Sequence, residues 1–203
     1  MNLGEMEARL RNVEDQLAID KLEKMYGYYL DNGKLEEAID LFSDDTEFME
    51  IGNRGVFKGK EGVKKFFRGF MAKGLEGKST GRMVFHHQLQ SVITVNPGGT
   101  TANGRWYILM IMALPEEPGG PMTSVLGHGV YENEFVKEGG KWKFKKMFMG
   151  LHFTSPINKG WTEVPVMGMY PVPEADAPST GYSPYPNIRY VPFHWKEPAQ
   201  GDA

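Results

Sequence analysis

The apolar residues of this chain change their spacing near residue 80. Before that point they recur every three or four positions, and after it every second position. The first spacing makes one face of a helix apolar, the second one face of a strand. Helices followed by an antiparallel sheet make an α+β architecture. With 203 residues, the chain can form one domain with a substantial core and an appendage.

Residues 2–31 form the first helical stretch, with Leu3, Met6, Leu10, Val13 and Leu17 at alternating spacings of three and four. This stripe is expected to lie on the core; its other use is a short coiled coil with another subunit. "NG" at 32–33 ends the helix, and "KLEEAIDLFS" reads as a second helix with Leu35, Ala38, Ile39 and Phe42 on one side. "TEFMEIG" alternates like a strand, "NRGVFKG" reads as a turn region, and "GKEGVKKFFRGFMAKGL" as a third helix broken by glycines. "RMVFHHQLQSVITV" is then a strand, "NPGGTTANG" a turn-rich connection, and "RWYILMIMAL" a strand apolar on both faces and therefore interior. After a loop at "PEEPGGPM", two more strands run from "TSVLGHG" to "LHFTSP", joined by a hairpin at "EGG". Residues 1–155 are thus expected to form the domain. Residues 156–203 hold nine of the 13 prolines together with Tyr170, Tyr182, Tyr185, Tyr190, Trp161 and Trp195. So many rings argue against disorder. An extended C-terminal arm is expected, packed on the domain or on a neighbouring subunit.

Composition removes several classes of function. Without cysteine, the chain has no disulfide, thiolate nucleophile or Cys-ligated zinc. A net charge of −3 and the absence of a basic stripe argue against a nucleic-acid partner; "KGKEGVKKFFRG" reads as a solvated helix face. No window approaches 18 apolar residues, so no membrane span is expected. The charged N-terminus has no apolar signal segment, and a cytoplasmic location is the expectation.

The stretch "MVFHHQLQS" places His86 and His87 side by side on a strand. Successive side chains point to opposite faces, so only one can enter a given pocket. For the same reason the two cannot readily share one metal ion, and no metal site is expected. His128 and His152 are further strand histidines. Arg105 sits among large apolar residues, where a buried guanidinium needs a partner. Tyr131 and Glu134 lie on alternate faces, so at most one faces a pocket. Thirteen methionines, several of them on the strands and the arm, suit an irregular apolar cavity as well as an ordinary core.

The order "IDKLEKMYGYYLD", "GKLEEAIDLFSDDTEFMEIG", "GVFKGKEGVKKFF", "NGRWYI" and "GVYENEFVKEGGKWKFKKM" resembles the SnoaL-like families of the nuclear transport factor 2-like superfamily, over roughly residues 10–155. The resemblance implies a cone-shaped barrel of curved antiparallel sheet around N-terminal helices, enclosing an apolar pocket. It implies no cofactor, and a homo-oligomer with a trimer favoured over a dimer. Enzymes of the group include scytalone dehydratase, hexachlorocyclohexane dehydrochlorinase, steroid isomerases and lyases of lignin-derived dimers; other members are binding modules or supporting subunits of an oxygenase.

Carried onto this chain, the helix-end aspartate falls on Asp31. The strand histidine falls on His86 by apolar alternation, or on His87 by ungapped counting. The dehydrochlorinase lysine position holds Tyr26, and its arginine position holds Met147, which leaves Arg105 as the expected positive charge and disfavours chloride elimination. The resemblance therefore implies a His–Asp general base from Asp31 with His86 or His87. Tyr26, Tyr29, Arg105, Tyr131 and His152 are the expected substrate-binding residues. A cofactor-independent lyase acting on a small hydroxylated aromatic molecule follows, with dehydration or isomerisation of a polycyclic substrate as the alternative chemistry.

Overall fold

The computed structural model describes residues 2–75, 81, 83–115 and 120–195; residues 116–119 of the expected loop and 196–203 of the expected arm lie outside them. Helix α1 spans Leu3–Asp31. A capping box starts it: the Asn2 side chain accepts the Glu5 N–H at 2.9 Å, and the Glu5 carboxylate accepts the Asn2 N–H at 3.0 Å. Asn32 and Gly33 end it, with Gly33 in the left-handed region at φ 66°. Ile19, Leu22, Tyr26 and Leu30 form its buried face. Helix α2 is Leu35–Asp40. The third helical region starts as α3, Gly59–Lys64, widens into a π-helical stretch over Lys65–Met71 and ends as α4, Ala72–Leu75.

The strands are β1 (Phe48–Ile51), β2 (Val56–Lys58), β3 (Met83–Val95), β4 (Thr101–Pro115), β5 (Met122–Glu138) and β6 (Lys141–Pro156). They form one sheet in the order β2-β1-β6-β5-β4-β3, antiparallel throughout except where β1 lies parallel to β6. The sheet curves around α1 without closing, so β2 and β3 remain its edges. Register shifts in β3 between Leu89 and Val92, and in the β5–β6 pairing, supply local bends. The expected α+β class holds. Two boundaries differ from expectation: "NRGVFKG" contains β2, because Val56 and Phe57 are buried against the core, and β4 begins at Thr101 within the expected turn.

The core lies between the concave face of the sheet and α1, where Tyr26 sits edge-on to Phe42, Phe67, Tyr131 and Phe144. The N-terminal stripe does not join it. Leu3, Met6, Leu10, Val13 and Leu17 are all exposed, because the sheet reaches α1 only from about Asp15 onward, on another side.

Beyond β6 the chain runs back over the domain. Val166 bridges Thr154, Ala177 bridges Val56, and Tyr185 N–H donates to the His152 carbonyl at 2.8 Å. The buried Glu50 carboxylate accepts the N–H groups of Thr180 and Gly181 at 2.7 and 2.9 Å. No helix among the described residues is long and apolar enough to cross a membrane.

Candidate active site

Asp31 ends α1 beside the first residues of β3, at His86. The approach is close because position 27 is glycine: a Cβ there would meet the His86 carbonyl at 3.2 Å and the Gln88 amide nitrogen at 3.3 Å. The His86 backbone N–H donates to both Asp31 carboxylate oxygens, at 3.1 and 3.2 Å. His86 Nδ1 lies 2.6 Å from Oδ1 of the same carboxylate. The aspartate therefore holds His86 by its backbone and by its ring. A carboxylate accepts Nδ1–H, which leaves Nε2 as the basic nitrogen.

Both residues border a cavity of about 480 Å³, within the range of small-molecule sites. Its walls are mainly apolar, with Phe66, Phe70, Met110, Met112, Met149 and Met169 among them. Met169 comes from the arm. The polar wall groups besides the dyad include the phenols of Tyr26 and Tyr131 and the guanidinium of Arg54. Burial pushes both phenols well above the ordinary tyrosine value. They remain neutral hydroxyls that hydrogen-bond each other, which leaves one O–H of the pair to hold a developing oxyanion.

Sequence reasoning missed two groups here. Arg54 lies between β1 and β2, in a stretch read as a turn. Its guanidinium donates to the carbonyls of Gly168 and Tyr170 at 2.6 and 3.1 Å and lies 4.7 Å from the Phe70 ring centroid. Burial lowers its pKa to about 10, so it is still cationic at neutral pH. Among the described residues it has carbonyl partners and no carboxylate. The second group is Glu23, fully buried one helical turn before Tyr26. Its Oε2 accepts the Asn133 amide at 2.9 Å, and its Oε1 has no partner among the described residues. Burial, with Asp20 adding to it against the Asn133 hydrogen bond, raises its pKa to about 8. It is a neutral acid at pH 7. A signal was available: Glu23 falls on the face defined by Ile19, Tyr26 and Leu30.

The other expected site residues lie away from the cavity. His87 is exposed, because β3 turns it to the face opposite His86. Tyr29 packs on the flank of the core and does not line the cavity. Arg105 stands directly across from Glu132 in the β4–β5 register and pairs with it at 2.7 Å. It also donates to the carbonyls of Val191 and Pro192 in the arm, at 3.2 and 3.4 Å. His152 Nδ1 lies 2.8 Å from His128 Nδ1, and both rings pack against Tyr107. Burial, with His128 and Arg105 nearby, depresses His152 to about 4, so it is neutral at pH 7. Arg105 and His152 are thus on the outer face of the sheet, under the arm. Of the Tyr131–Glu134 pair, Tyr131 faces the cavity, while Glu134 binds Lys146 at 3.0 Å. Among the described residues no cluster of three or more His, Asp or Glu is arranged to hold a metal ion.

Comparison with known proteins gives the same frame. A family model described as a SnoaL-like domain matches residues 11–147. A protein from Novosphingobium aromaticivorans assigned as a scytalone dehydratase superposes with a TM-score of 0.60 at 25% identity, over 82% of this chain and 98% of that one. A type 2 hexachlorocyclohexane dehydrochlorinase superposes with a TM-score of 0.61 at 21% identity, over 73% and 93%. An NTF2-like protein with a cystatin-like fold, also from N. aromaticivorans, gives 0.55 at 19% identity, over 80% and 94%. The last two establish likeness of fold. No curated protein matches significantly.

Proposed function

The chain belongs to the SnoaL-like domain family, and on that premise we propose that it is a cofactor-independent lyase acting on a hydroxylated aromatic small molecule through His86–Asp31 acid–base chemistry. The substrate class proposed is a lignin-derived diarylpropane, from which the enzyme releases formaldehyde. One observation carries this reading: a histidine held by a carboxylate at 2.6 Å on the wall of an otherwise largely apolar cavity. The family, and the dehydratase and dehydrochlorinase names of similar structures, support a small-molecule enzyme. The ring-and-methionine wall supports an aryl substrate, since thioethers pack well on aromatic edges.

The chemistry follows from the groups present. His86 Nε2 takes the proton of the substrate's terminal hydroxyl, and Asp31 stabilises the imidazolium. The O–H electron pair becomes the second bond of formaldehyde as the adjacent C–C bond breaks. The electron pair left on carbon forms a C=C bond as the neighbouring benzylic hydroxyl departs as water, protonated by the His86 imidazolium. That transfer returns Nε2 to its basic form. The products are a stilbene, formaldehyde and water, with no change in oxidation state overall. Arg54 is the fixed cation available to a phenolate or oxyanion.

Simple dehydration is the second reading, favoured by the dehydratase-like structure at 25% identity. There His86 takes a C–H proton beside the carbinol, and water leaves without C–C cleavage.

The test is an assay of purified protein without added cofactor against hydroxylated diaryl compounds. Ultraviolet absorbance follows the conjugated product, and a trapping dye follows aldehyde. Conjugated product with aldehyde, lost in both Asp31→Asn and His86→Ala, supports C–C cleavage. Conjugated product without aldehyde selects dehydration. Turnover that survives both substitutions removes the dyad from the mechanism.

A further inference from the structure

Helix α1 carries an apolar seam that none of the described residues covers. Leu3, Met6, Leu10, Val13 and Leu17 are exposed by 72, 51, 59, 53 and 65%. Single exposed apolar residues are ordinary, but five on one stripe mark an interaction surface. Their spacings of three, four, three and four are those of the a and d positions of a heptad repeat. At 100° per residue the five fall within about 80° of the helix circumference. Ile19, Leu22, Tyr26 and Leu30, which bind α1 to the sheet, fall on the opposite side. A second helix can therefore lie along the seam without meeting the body of the domain.

We propose that this seam pairs with the same helix of a second copy of the chain, in parallel and in register, over residues 3–17. Charge selects both partner and direction. With Leu3, Leu10 and Leu17 at a and Met6 and Val13 at d, the flanking e positions hold Glu7 and Glu14, and the g positions hold Arg9 and Gln16. In a parallel pair each g residue faces the e residue of the partner's next heptad. Arg9 then faces Glu14 of the second copy, twice by symmetry. An antiparallel pair instead sets Glu7 against Glu14, two like charges. The seam has a defined end, because the next d and a positions are Asp20 and Lys24. Isolated helices this short are marginal in water. This one is preformed, being capped at Asn2 and continuous with the buried half of α1, so pairing orders little that is not ordered already. The pairing is independent of the reaction proposed for the cavity.

Because the chain has no cysteine, single-cysteine variants report position directly. Under mild oxidation Leu3→Cys and Leu17→Cys should each form covalent dimers with themselves. Light scattering should show a multiple of the protomer mass for the wild type. Leu10→Glu, at an exposed position, should raise the dissociation constant at least tenfold with an unchanged circular dichroism spectrum. Arg9→Glu should weaken association, and Arg9→Glu combined with Glu14→Arg should restore it. Cross-linking only in a mixture of the two cysteine variants would overturn the parallel register. A monomer at all concentrations would overturn the proposal, as would an oligomer indifferent to Leu10→Glu.

Discussion

Two histidine–carboxylate pairs sit on opposite faces of the sheet. His86 Nδ1 lies 2.6 Å from Asp31 on the concave face, and His194 Nδ1 lies 2.5 Å from Glu132 on the outer face. By contact geometry they are twins, but their surroundings separate them. His86 borders a cavity, so its second ring nitrogen can meet a ligand. His194 Nε2 is buried with no partner among the described residues, and its carboxylate is shared with Arg105 under the arm. The outer pair joins Arg105 in pinning the arm. A hydrogen-bonded histidine is therefore no signature of catalysis by itself; what counts is whether its other nitrogen opens on space.

The strongest test of that contrast is activity. Asp31→Asn or His86→Ala should lower kcat/KM by about 10²–10⁴-fold, the usual worth of a positioned general base. His194→Ala should leave the turnover of folded protein unchanged, and a comparable loss in both variants would erase the distinction. Next comes stability. Arg105→Leu strands Glu132 beneath the arm and should cost about 3 kcal/mol in chemical unfolding, the low end for a broken buried pair because His194 remains. Limited proteolysis should then cut the arm faster, and an unaltered cleavage rate would contradict its role as a pin.

The two faces should also answer pH in opposite directions. Glu23 has its folded pKa raised to about 8. Between the unfolded value of about 4.5 and 8, the unfolded chain gives up this proton and the folded chain keeps it. Stability should fall as pH rises through that window, by up to about 1.4 kcal/mol per pH unit. Unfolding curves of Glu23→Gln at pH 5, 7 and 9 should lack this slope; a slope retained in the variant would assign it elsewhere. His152 has the reverse sign. With its folded value depressed to about 4, its contribution is full above the unfolded value of about 6.5 and declines as pH falls from there towards 4. That slope should be shallower, since solvent partly reaches this ring, and it should vanish in His152→Asn. The smallest effect belongs to His87→Ala, which should change neither turnover nor unfolding midpoint; a drop in kcat/KM would place His87 back at the site.

Much of the fold was legible in the residues. The change of apolar period marked the helices and strands, and Asn32 with Gly33 and Gly139 with Gly140 punctuated them. The site was legible only in part. Asp31 followed from resemblance, and alternation along β3 left one of two histidines for the cavity. Alternation cannot say which face of an edge strand meets α1. That was fixed by Gly27, whose missing side chain lets His86 reach Asp31. Arg105 looked like a site cation because it needed a partner; Glu132 on the neighbouring strand was that partner. Arg54 was hidden in a loop whose backbone pattern says nothing about where the guanidinium goes.

Sequence alone thus determined the order and type of most elements, β2 excepted, and the existence of an apolar stripe on α1. These depend on the 3.6- and 2-residue periods and on local capping, which act over a few residues. Tertiary structure decided which histidine and which arginine border the cavity, and that the α1 stripe points to solvent. Each of those outcomes turns on contacts between residues far apart in the chain. A side chain's surroundings there depend on how whole elements dock, and no local pattern encodes that.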